Sequence, residues 1–270
     1  MKLIDEIKRV NDAGSGVHMP HIYVGDPSIE FTEAIIETFA INGGDIIEIG
    51  IPFSDPVADG ATFQGVCERA LSNGIKPNDC LNLIKRFKEK DYLNPVVLTT
   101  YYNIPFNMGI MEFARQAKEV GVQGVIIPDM PVEESTPILE ATKKNGIDLI
   151  FQVAPTTTDD RLKLVANLSE SFLYVINVEG VTGSRDIIHR STVELLKRVR
   201  EYSDLPLLAG FGVSNGEHAR VLTEAGADGV VAGSVYTNLY MNSHDPMDAL
   251  KSIAEKVKEI KSGCNFNASA

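Results

Sequence analysis

The sequence predicts an α/β protein built as a single (β/α)8 barrel, the TIM-barrel fold, with an additional N-terminal helix. Eight short runs rich in β-branched residues alternate with longer amphipathic segments, which implies parallel strand pairing. The 270 residues, 44% of them hydrophobic, suffice for eight strand–helix units and their core. An open, doubly wound sheet is the alternative architecture.

The first predicted element is a helix that precedes the barrel units. Leu3, Ile4, Ile7 and Val10 recur at helical spacing, which is typical of an amphipathic helix that packs on an apolar surface. We expect it to close one end of the domain. The first twenty residues lack the apolar stretch of a secretory signal, and no apolar run reaches 18 residues. These features predict a soluble protein without a targeting segment.

The strands are predicted from the apolar runs. Strands that are buried on both faces should be continuously apolar rather than alternating, and DIIEIG, GVIIPD and DGVVAGS have this character. The predicted strands are 21–24, 45–50, 96–100, 124–128, 149–153, 173–177, 207–210 and 229–232.

Helical patterns fill the intervals between these strands, as in the segment 31–39. A glycine precedes three of the strands at a similar point. Gly43, Gly121 and Gly226 each fit a helix C-terminus that leads through a short turn into the next strand. Their uneven spacing argues against a solenoid repeat.

Composition narrows the class of protein. The chain has 25 basic and 37 acidic residues, a net charge of −12, which disfavours nucleic acid and anionic membranes as partners. Cys67, Cys80 and Cys264 form no C-x-x-C pair, so they indicate neither disulfides nor a zinc site and fit a reducing cytoplasm. No Pro- or Ser-rich linker interrupts the chain. We therefore expect one domain over 1–270, with a flexible tail at 263–270.

The first candidate catalytic residue is Glu48, which lies in the apolar run IIEIGI. Functional groups of a barrel gather at the C-terminal ends of its strands, and alternation with Ile47 and Ile49 directs Glu48 into the barrel mouth. A basic partner inside the barrel would make Glu48 structural, but no predicted strand contains Lys or Arg. A desolvated, unpaired carboxyl has a raised pKa and suits proton transfer near neutral pH.

The distribution of lysine and histidine disfavours two mechanisms. A Schiff-base aldolase needs an amine at a strand end, and the fifteen lysines all fall in helical segments or their flanks. A metal-dependent aldolase needs clustered ligands, and only His18 and His21 lie close together. We interpret these two histidines as packing or surface groups, so we expect no metal site.

The loop PFSDPVADG at 52–60 follows Glu48 and carries Asp55 and Asp59. Two prolines and a glycine restrict its conformations, which favours acids that are held in place. Asp59 could alternatively cap the next helix, predicted at 63–71.

Glycines at two successive strand ends predict a phosphate site. GFGVS at 210–214 ends the seventh predicted strand, and AGS at 232–234 ends the eighth and opens a helical stretch. Glycines let backbone N–H groups approach a phosphate, and a helix N-terminus adds partial positive charge. Barrels commonly bind phosphate after strands seven and eight. A third loop, EGVTGSR at 179–185, is either a lid or an exposed turn.

Taken together, the motifs resemble a known family. IEIGIPFSDPVADG, YYN, PDMPVEES, APTT, GVTG, GFGVS and AGS stand in the order and spacing of tryptophan synthase alpha subunits, over most of the chain. The resemblance implies a (β/α)8 lyase of tryptophan biosynthesis that cleaves indole-3-glycerol phosphate to indole and glyceraldehyde 3-phosphate. This retro-aldol reaction needs neither a metal nor an organic cofactor.

The resemblance also implies roles for individual residues. Glu48 would be the acid/base group, and Asp59 would accept the indole N–H and stabilise the positive charge that develops on the ring. Thr182 would bond Asp59 as the lid closes. The indole pocket would be lined by Thr99, Ile126, Tyr174 and Phe211, and the phosphate would be held by Gly183, Gly212, Gly233 and Ser234.

The partner implied by the resemblance is the beta subunit, a pyridoxal-phosphate enzyme, in an α2β2 complex. The Asp55 loop, the segment 101–109 and the region of Pro131 would form the contact face.

The chain departs from the family pattern at three places. Residues 177–179 read NVE where small, serine-containing or basic residues are usual, Ala61 replaces a frequent Pro, and His21 replaces Phe or Tyr in the pocket. Two other functions therefore stay open: a stand-alone lyase that releases free indole, and a non-catalytic effector subunit that binds a phosphorylated ligand.

Overall fold

Parallel strands follow one another around a barrel in a computed structural model, which describes residues 2–176, 190–210 and 212–266. Within these residues the strands are β1 (Val17–Tyr23), β2 (Ile47–Gly50), β3 (Val96–Thr99), β4 (Gly124–Ile126), β5 (Asp148–Ile150), β6 (Gln152–Val153), β7 (Leu173–Ile176), β8 (Leu207–Gly210) and β9 (Gly229–Ala232). They pair in parallel in the order β5-β4-β3-β2-β1-β9-β8-β7-β6.

The two terminal strands of this order, β5 and β6, are one barrel strand interrupted at Phe151. β5 pairs with β4, whereas β6 pairs with β7. The Phe151 carbonyl accepts the N–H of Tyr174 at 3.0 Å, so the interruption itself is bonded to β7. The sheet thus forms an eight-strand barrel. The predicted barrel is confirmed, and the open-sheet alternative is wrong.

Helices connect the strands. In the described part of the chain they are α1 (Leu3–Asp12), α2 (Ile29–Asn42), α3 (Ala61–Ser72), α4 (Pro77–Glu89), α5 (Asn103–Met108), α6 (Ile110–Glu119), α7 (Thr136–Lys144), α8 (Asp159–Leu168), α9 (Arg190–Arg200), α10 (Gly216–Glu224), α11 (Ser234–Met241) and α12 (Pro246–Gly263), with a 3-10 turn at Val132–Glu134. The predicted glycine turns are confirmed: Gly43, Gly121 and Gly226 have φ of +116°, +92° and +99°, which suits residues without a Cβ.

Helix α1 packs against the barrel interior, as its spacing predicts. Its buried Leu3, Ile7 and Val10 form one apolar cluster with inward-facing strand residues such as Val17 and Met19. The helix therefore covers the N-terminal end of the barrel, which leaves the C-terminal end for the site.

The first strand begins earlier than the sequence pattern predicts. We expected it at 21–24, but β1 starts at Val17 and all seven of its residues are buried. Two histidines and Pro20 interrupt the apolar pattern there, and proline is unusual inside a paired strand. The four missed residues include Val17 and Met19, which lie on the same inward face as His21.

The predicted flexible tail begins too early. Cys264 is fully buried, Asn265 forms an antiparallel bridge with Ser15, and the Phe266 N–H donates to the Gly14 carbonyl at 3.0 Å. Residues 263–266 are thus packed and bonded, contrary to the expectation. Residues 267–270 lie outside the described residues, and both their flexibility and the single-domain organisation stay predictions.

A buried ion pair joins the two helices that flank the site. Arg69 of α3 donates to both carboxylate oxygens of Asp26, at 2.9 and 2.7 Å, and Tyr240 of α11 donates to the same carboxylate at 2.6 Å. Asp26 is only 2% exposed. The pair therefore fixes α3, which follows the Asp59 loop, against α11.

We expect Arg69→Met to lower the free energy of unfolding by about 2 kcal/mol. Removing one partner of a buried pair costs about 3–5 kcal/mol, and the partial exposure of Arg69 reduces that cost. Chemical denaturation of wild type and Arg69→Met measures this difference in the free energy of unfolding. Arg115→Met is the matched control, because Arg115 pairs with Glu112 on the surface and should cost less than about 0.5 kcal/mol. Equal losses in both variants would contradict the role assigned to the buried pair.

Candidate active site

Glu48 lies inside the barrel, where its position in β2 directs it. Its side chain is 3% exposed, and its Oε1 accepts the Thr99 hydroxyl of the neighbouring β3 at 2.5 Å. Oε2 is buried and has no hydrogen-bond partner in the described part of the chain. The carboxyl is therefore held by one oxygen, and the other is left for a reacting group.

The surroundings of Glu48 change its acidity. Burial raises the pKa of Glu48 from 4.5 to about 7, and the Thr99 hydrogen bond opposes that rise only in part. Among the described residues its only contact with a basic group is with the imidazole of His21. At neutral pH both protonation states are populated, which is the condition for an acid/base group.

The two histidines near the start of the barrel point in opposite directions. His18 faces outward, fully buried, with its Nε2 2.8 Å from the Tyr236 hydroxyl. His21 faces the barrel interior, and its Nδ1 lies 3.3 Å from Glu48 Oε1. The interpretation as packing groups is confirmed for His18. It is incomplete for His21, because His21 contacts the candidate catalytic acid.

Asp59 is fixed by two tyrosines. Tyr23 of β1 and Tyr101, just after β3, both donate to Asp59 Oδ2, at 2.7 and 2.6 Å. Neither tyrosine occupies Oδ1. Burial raises the pKa of Asp59, the two tyrosine hydrogen bonds lower it, and the charge of Glu48 raises it. The two acids thus lie close enough to influence one another.

The alternative role of Asp59 as a helix cap is wrong. Gly60 is the N-cap residue of α3, and no side chain caps this helix. Instead the Tyr101 hydroxyl accepts the Ala58 N–H at 3.1 Å, and the Tyr101 ring stacks on Phe53 with the ring centroids 5.2 Å apart. These contacts hold the loop 52–60 over the barrel mouth, as its prolines predict.

Three of the predicted indole-pocket residues line the same interior. Thr99 and Ile126 are in register on adjacent strands, and Ile150, which was not predicted, is in register with Ile126 on the next strand. The ring of Tyr174, the third predicted residue, packs against the apolar cluster that contains Ile126. Burial raises the pKa of Tyr174, and the charges of Glu48 and Asp59 raise it further, which places its ring near the two acids. Ile126, Ile150 and the ring of Tyr174 thus give the pocket an apolar wall beside the two carboxyls.

Glycines make room for the aromatic rings. A Cβ at Gly210 would lie 2.5 Å from the Tyr174 ring, and one at Gly50 would lie 2.5 Å from the Tyr23 ring. Since real Cβ atoms do not approach so closely, larger residues at these positions would displace the pocket wall.

The predicted phosphate residues Gly212, Gly233 and Ser234 lie at the ends of β8 and β9. Gly212 has φ of +82°, and its carbonyl lies 3.1 Å from the Nδ1 of His218, which fixes the turn after β8. Gly233 is the N-cap residue of α11, and Ser234 is the first residue of that helix. The first turn of α11 therefore presents backbone N–H groups and the Ser234 hydroxyl at the mouth.

Three predicted site residues, Thr182, Gly183 and Phe211, lie outside the described residues, so their assigned roles stay predictions. Three contacting residues were absent from the predicted site: Tyr23, Tyr101 and Phe63, whose ring packs edge-on to Tyr23 with the ring centroids 5.3 Å apart. The motif YYN marked Tyr101, but only as part of a contact face. The inward alternation of β1 would have identified Tyr23.

Among the described residues, no group of three or more His, Cys, Asp or Glu side chains is arranged to hold a metal ion. No helix among those residues has the length and apolar character needed to cross a membrane.

Comparison with known proteins is consistent with this geometry. The family model described as "Tryptophan synthase alpha chain" matches residues 7–265. The tryptophan synthase alpha chain of Methanocaldococcus jannaschii is 42% identical over 251 residues, 93% of this chain and 89% of that protein. The alpha chain of Methanothermobacter thermautotrophicus is 46% identical over 216 residues, 80% of each chain.

Solved structures agree in fold. The alpha chain of Legionella pneumophila superposes with a TM-score of 0.90 at 29% identity and covers all of both chains. A chain of the α2β2 complex of Pyrococcus furiosus, described in terms of mutual activation, superposes with a TM-score of 0.85 at 35% identity, over 92% of this chain and 98% of that one. The match to the family model over nearly the whole chain settles the classification: this chain belongs to the tryptophan synthase alpha chain family.

Proposed function

We propose that this chain is a carbon–carbon lyase that cleaves indole-3-glycerol phosphate to indole and glyceraldehyde 3-phosphate, as the alpha subunit of tryptophan synthase. The observation that carries the proposal is the pair of carboxyls at the mouth of the barrel pocket, buried Glu48 and half-buried Asp59, each held by hydroxyl donors. Family membership supports the same activity.

Substrate binding would use the two ends of the site differently. The phosphate would lie at the N-terminus of α11, where the N–H groups after Gly233 and the Ser234 hydroxyl supply donors without a full positive charge. The indole ring would lie against Ile126 and Tyr174. Glu48 projects into the same cavity from β2, so the bond to be broken would lie beside its Oε2.

The reaction needs one proton to be added and one removed. Protonated Glu48 would give its proton to indole C3, and the resulting carboxylate would take the proton of the adjacent hydroxyl. The electrons of the C–C bond then return to the indole ring as the aldehyde forms. A group with a pKa of about 7 can perform both steps in turn, because neither protonation state is strongly favoured.

Asp59 would stabilise the intermediate. Protonation at C3 places positive charge on the indole nitrogen, and a carboxylate aimed at that N–H lowers the energy of this state. The tyrosine hydrogen bonds to Oδ2 hold Asp59 in place and leave Oδ1 to accept the indole N–H.

The partner would be the beta subunit, in an α2β2 complex, and pyridoxal phosphate would belong to that subunit alone. The proposed contact face carries exposed apolar side chains: Val57 is 77% exposed and Phe106 is 63% exposed. The loop of Val57 is joined through Ala58 to Tyr101, just before the helix of Phe106. Exposed apolar side chains on adjoining segments suit a protein interface. The three unpaired, buried cysteines fit a cytoplasmic location.

Indole release from indole-3-glycerol phosphate tests the proposal, with and without a beta subunit. We expect slow release by the chain alone and an acceleration of about tenfold or more in the complex, within the usual range of coupling between sites. Fast release that is indifferent to the beta subunit would support the stand-alone lyase. If the chain binds glycerol phosphate but releases no indole from indole-3-glycerol phosphate, either alone or with the beta subunit, the result would support the effector subunit.

Two surface variants test the contact face in the same measurement. Val57→Asp should reduce the acceleration by the beta subunit. Leu93→Asp is the matched control, because Leu93 is 84% exposed but precedes β3, at the opposite end of the barrel. Equal effects of the two variants would contradict the assignment of this face.

A further inference from the structure

His21 is fixed beside the catalytic carboxyl by the register of the sheet. β1 and β2 pair with His21 opposite Glu48, and both side chains point into the barrel. The His21 side chain is 8% exposed, and its Nδ1 lies 3.3 Å from Glu48 Oε1. No other imidazole among the described residues contacts this carboxyl.

The His21 ring has little freedom to move away. It packs edge-on against Tyr23 and against Phe63, with ring centroids 5.0 Å apart in both pairs. On another side it approaches Gly233, where a Cβ would lie 3.2 Å from His21 Cδ2. The ring is therefore positioned from three sides, and the Nδ1 edge faces Glu48.

The imidazole is uncharged at neutral pH. Burial lowers the pKa of His21 to about 4, and the nearby charge of Asp59 opposes that change only in part. A neutral imidazole carries one N–H donor. Among the described residues the ionisable groups that face Glu48 are His21, Asp59 and Tyr174, and Thr99 is its only hydrogen-bond donor of good geometry.

We propose that His21 is a positioning residue for the reaction proposed above: its Nδ1–H donates to Glu48 Oε1 as a second donor beside Thr99. With both donors on Oε1, Oε2 is left as the oxygen that exchanges protons with the substrate. In the structure His21 Nδ1 is buried without a hydrogen-bond partner among the described residues, because its 3.3 Å contact with Oε1 lacks the geometry of an N–H···O bond. Donation to Oε1 would satisfy this buried donor, and contacts of this kind commonly shorten when a substrate binds.

The proposal explains the histidine at position 21, where the resemblance implies Phe or Tyr. A phenylalanine or tyrosine ring at position 21 would fill the same space against Phe63 but would present no N–H to Glu48. The donor of His21 stabilises the carboxylate form of Glu48, and loss of that donor should raise the Glu48 pKa. This chain would therefore ionise its acid/base group at a lower pH than a variant with an apolar ring.

Titration of the Glu48 carboxyl tests the proposal without any need for turnover. The chain is labelled with 13C at the glutamate carboxyls, and the Glu48 resonance is assigned by its loss in Glu48→Gln. We expect His21→Phe and His21→Leu to raise the Glu48 pKa by about 0.5 pH units or more, since donors to a carboxylate act on that scale or above. His21→Asn places an amide N–H near the position of Nδ1 and should keep the wild-type value.

The pH dependence of kcat/KM for indole release gives a second readout, and its Glu48-controlled limb should move by the same amount. An unchanged Glu48 titration in both His21→Phe and His21→Leu would overturn the proposal, and so would equal shifts in those variants and in His21→Asn. If the wild-type chain releases no indole, the proposed function fails. The carboxyl titration then still decides whether His21 donates to Glu48.

Discussion

Glu48→Gln is expected to lower kcat/KM for indole release by about two to four orders of magnitude, the usual contribution of a general acid/base group. The amide has nearly the same shape and can still accept the Thr99 hydroxyl through its oxygen. It cannot donate a proton to indole C3 and then remove one from the hydroxyl. Steady-state kinetics of the complex measure the loss, and binding of glycerol phosphate should be unchanged.

The free energy of unfolding of Glu48→Gln distinguishes a loss of catalysis from a loss of folded structure. The pKa of Glu48 is raised from 4.5 to about 7 in the folded chain, so the folded protein holds a proton that the unfolded chain releases in this range. Stability therefore falls as the pH rises from about 4.5 to 7, and the cost is complete above 7. At pH 8 the Gln variant, which cannot ionise, should be more stable than wild type, by up to about 3 kcal/mol. A variant that is both inactive and less stable at pH 8 would contradict this reasoning.

Asp59→Asn is expected to lower kcat by about two to three orders of magnitude, the scale for removal of one preorganised electrostatic contact. The neutral amide cannot balance the positive charge that develops on the indole nitrogen. Because that charge appears after binding, KM should change much less than kcat. The measurement is kcat and KM of the complex at saturating beta subunit.

Asp55→Asn is the matched control for Asp59→Asn. Asp55 lies four residues earlier in the same loop, and its side chain is exposed and bonded only to Ser54 in the described residues. It should leave the chemistry unchanged in the isolated chain. Comparable losses of kcat in both variants of the isolated chain would show that the loop, rather than the Asp59 charge, limits the rate.

The barrel and the buried, unpaired carboxyl of Glu48 were predictable because each follows from a local pattern. Continuous apolar runs separated by helical periodicity indicate parallel strands that are buried on both faces. Against that background Glu48 is conspicuous, since an unpaired carboxyl in such a run is costly unless it has a use. The glycines at 210, 212 and 233 are likewise recognisable from short segments.

The contacts around the acids could not be predicted in the same way. Asp59 is bonded to Tyr23 and Tyr101, which are 36 and 42 residues away along the chain, and only the strand register brings them together. The resemblance placed His21 in the pocket, but its contact with Glu48 depends on the register between β1 and β2, which pairs the two residues. The bonded end of the chain was missed because Cys264 is held by tertiary packing that its polar neighbours do not indicate.

The most direct test of the central claim, that Glu48 transfers the protons of C–C bond cleavage, is a single-turnover measurement. The protein is mixed in excess over indole-3-glycerol phosphate in the presence of the beta subunit. The reaction is quenched at short times, and the amount of indole formed is measured. This excludes product release from the observed rate. We expect wild type to complete its turnover, whereas Glu48→Gln should bind the substrate and form indole at least about a hundredfold more slowly. Equal rates for the two proteins would show that Glu48 does not transfer these protons.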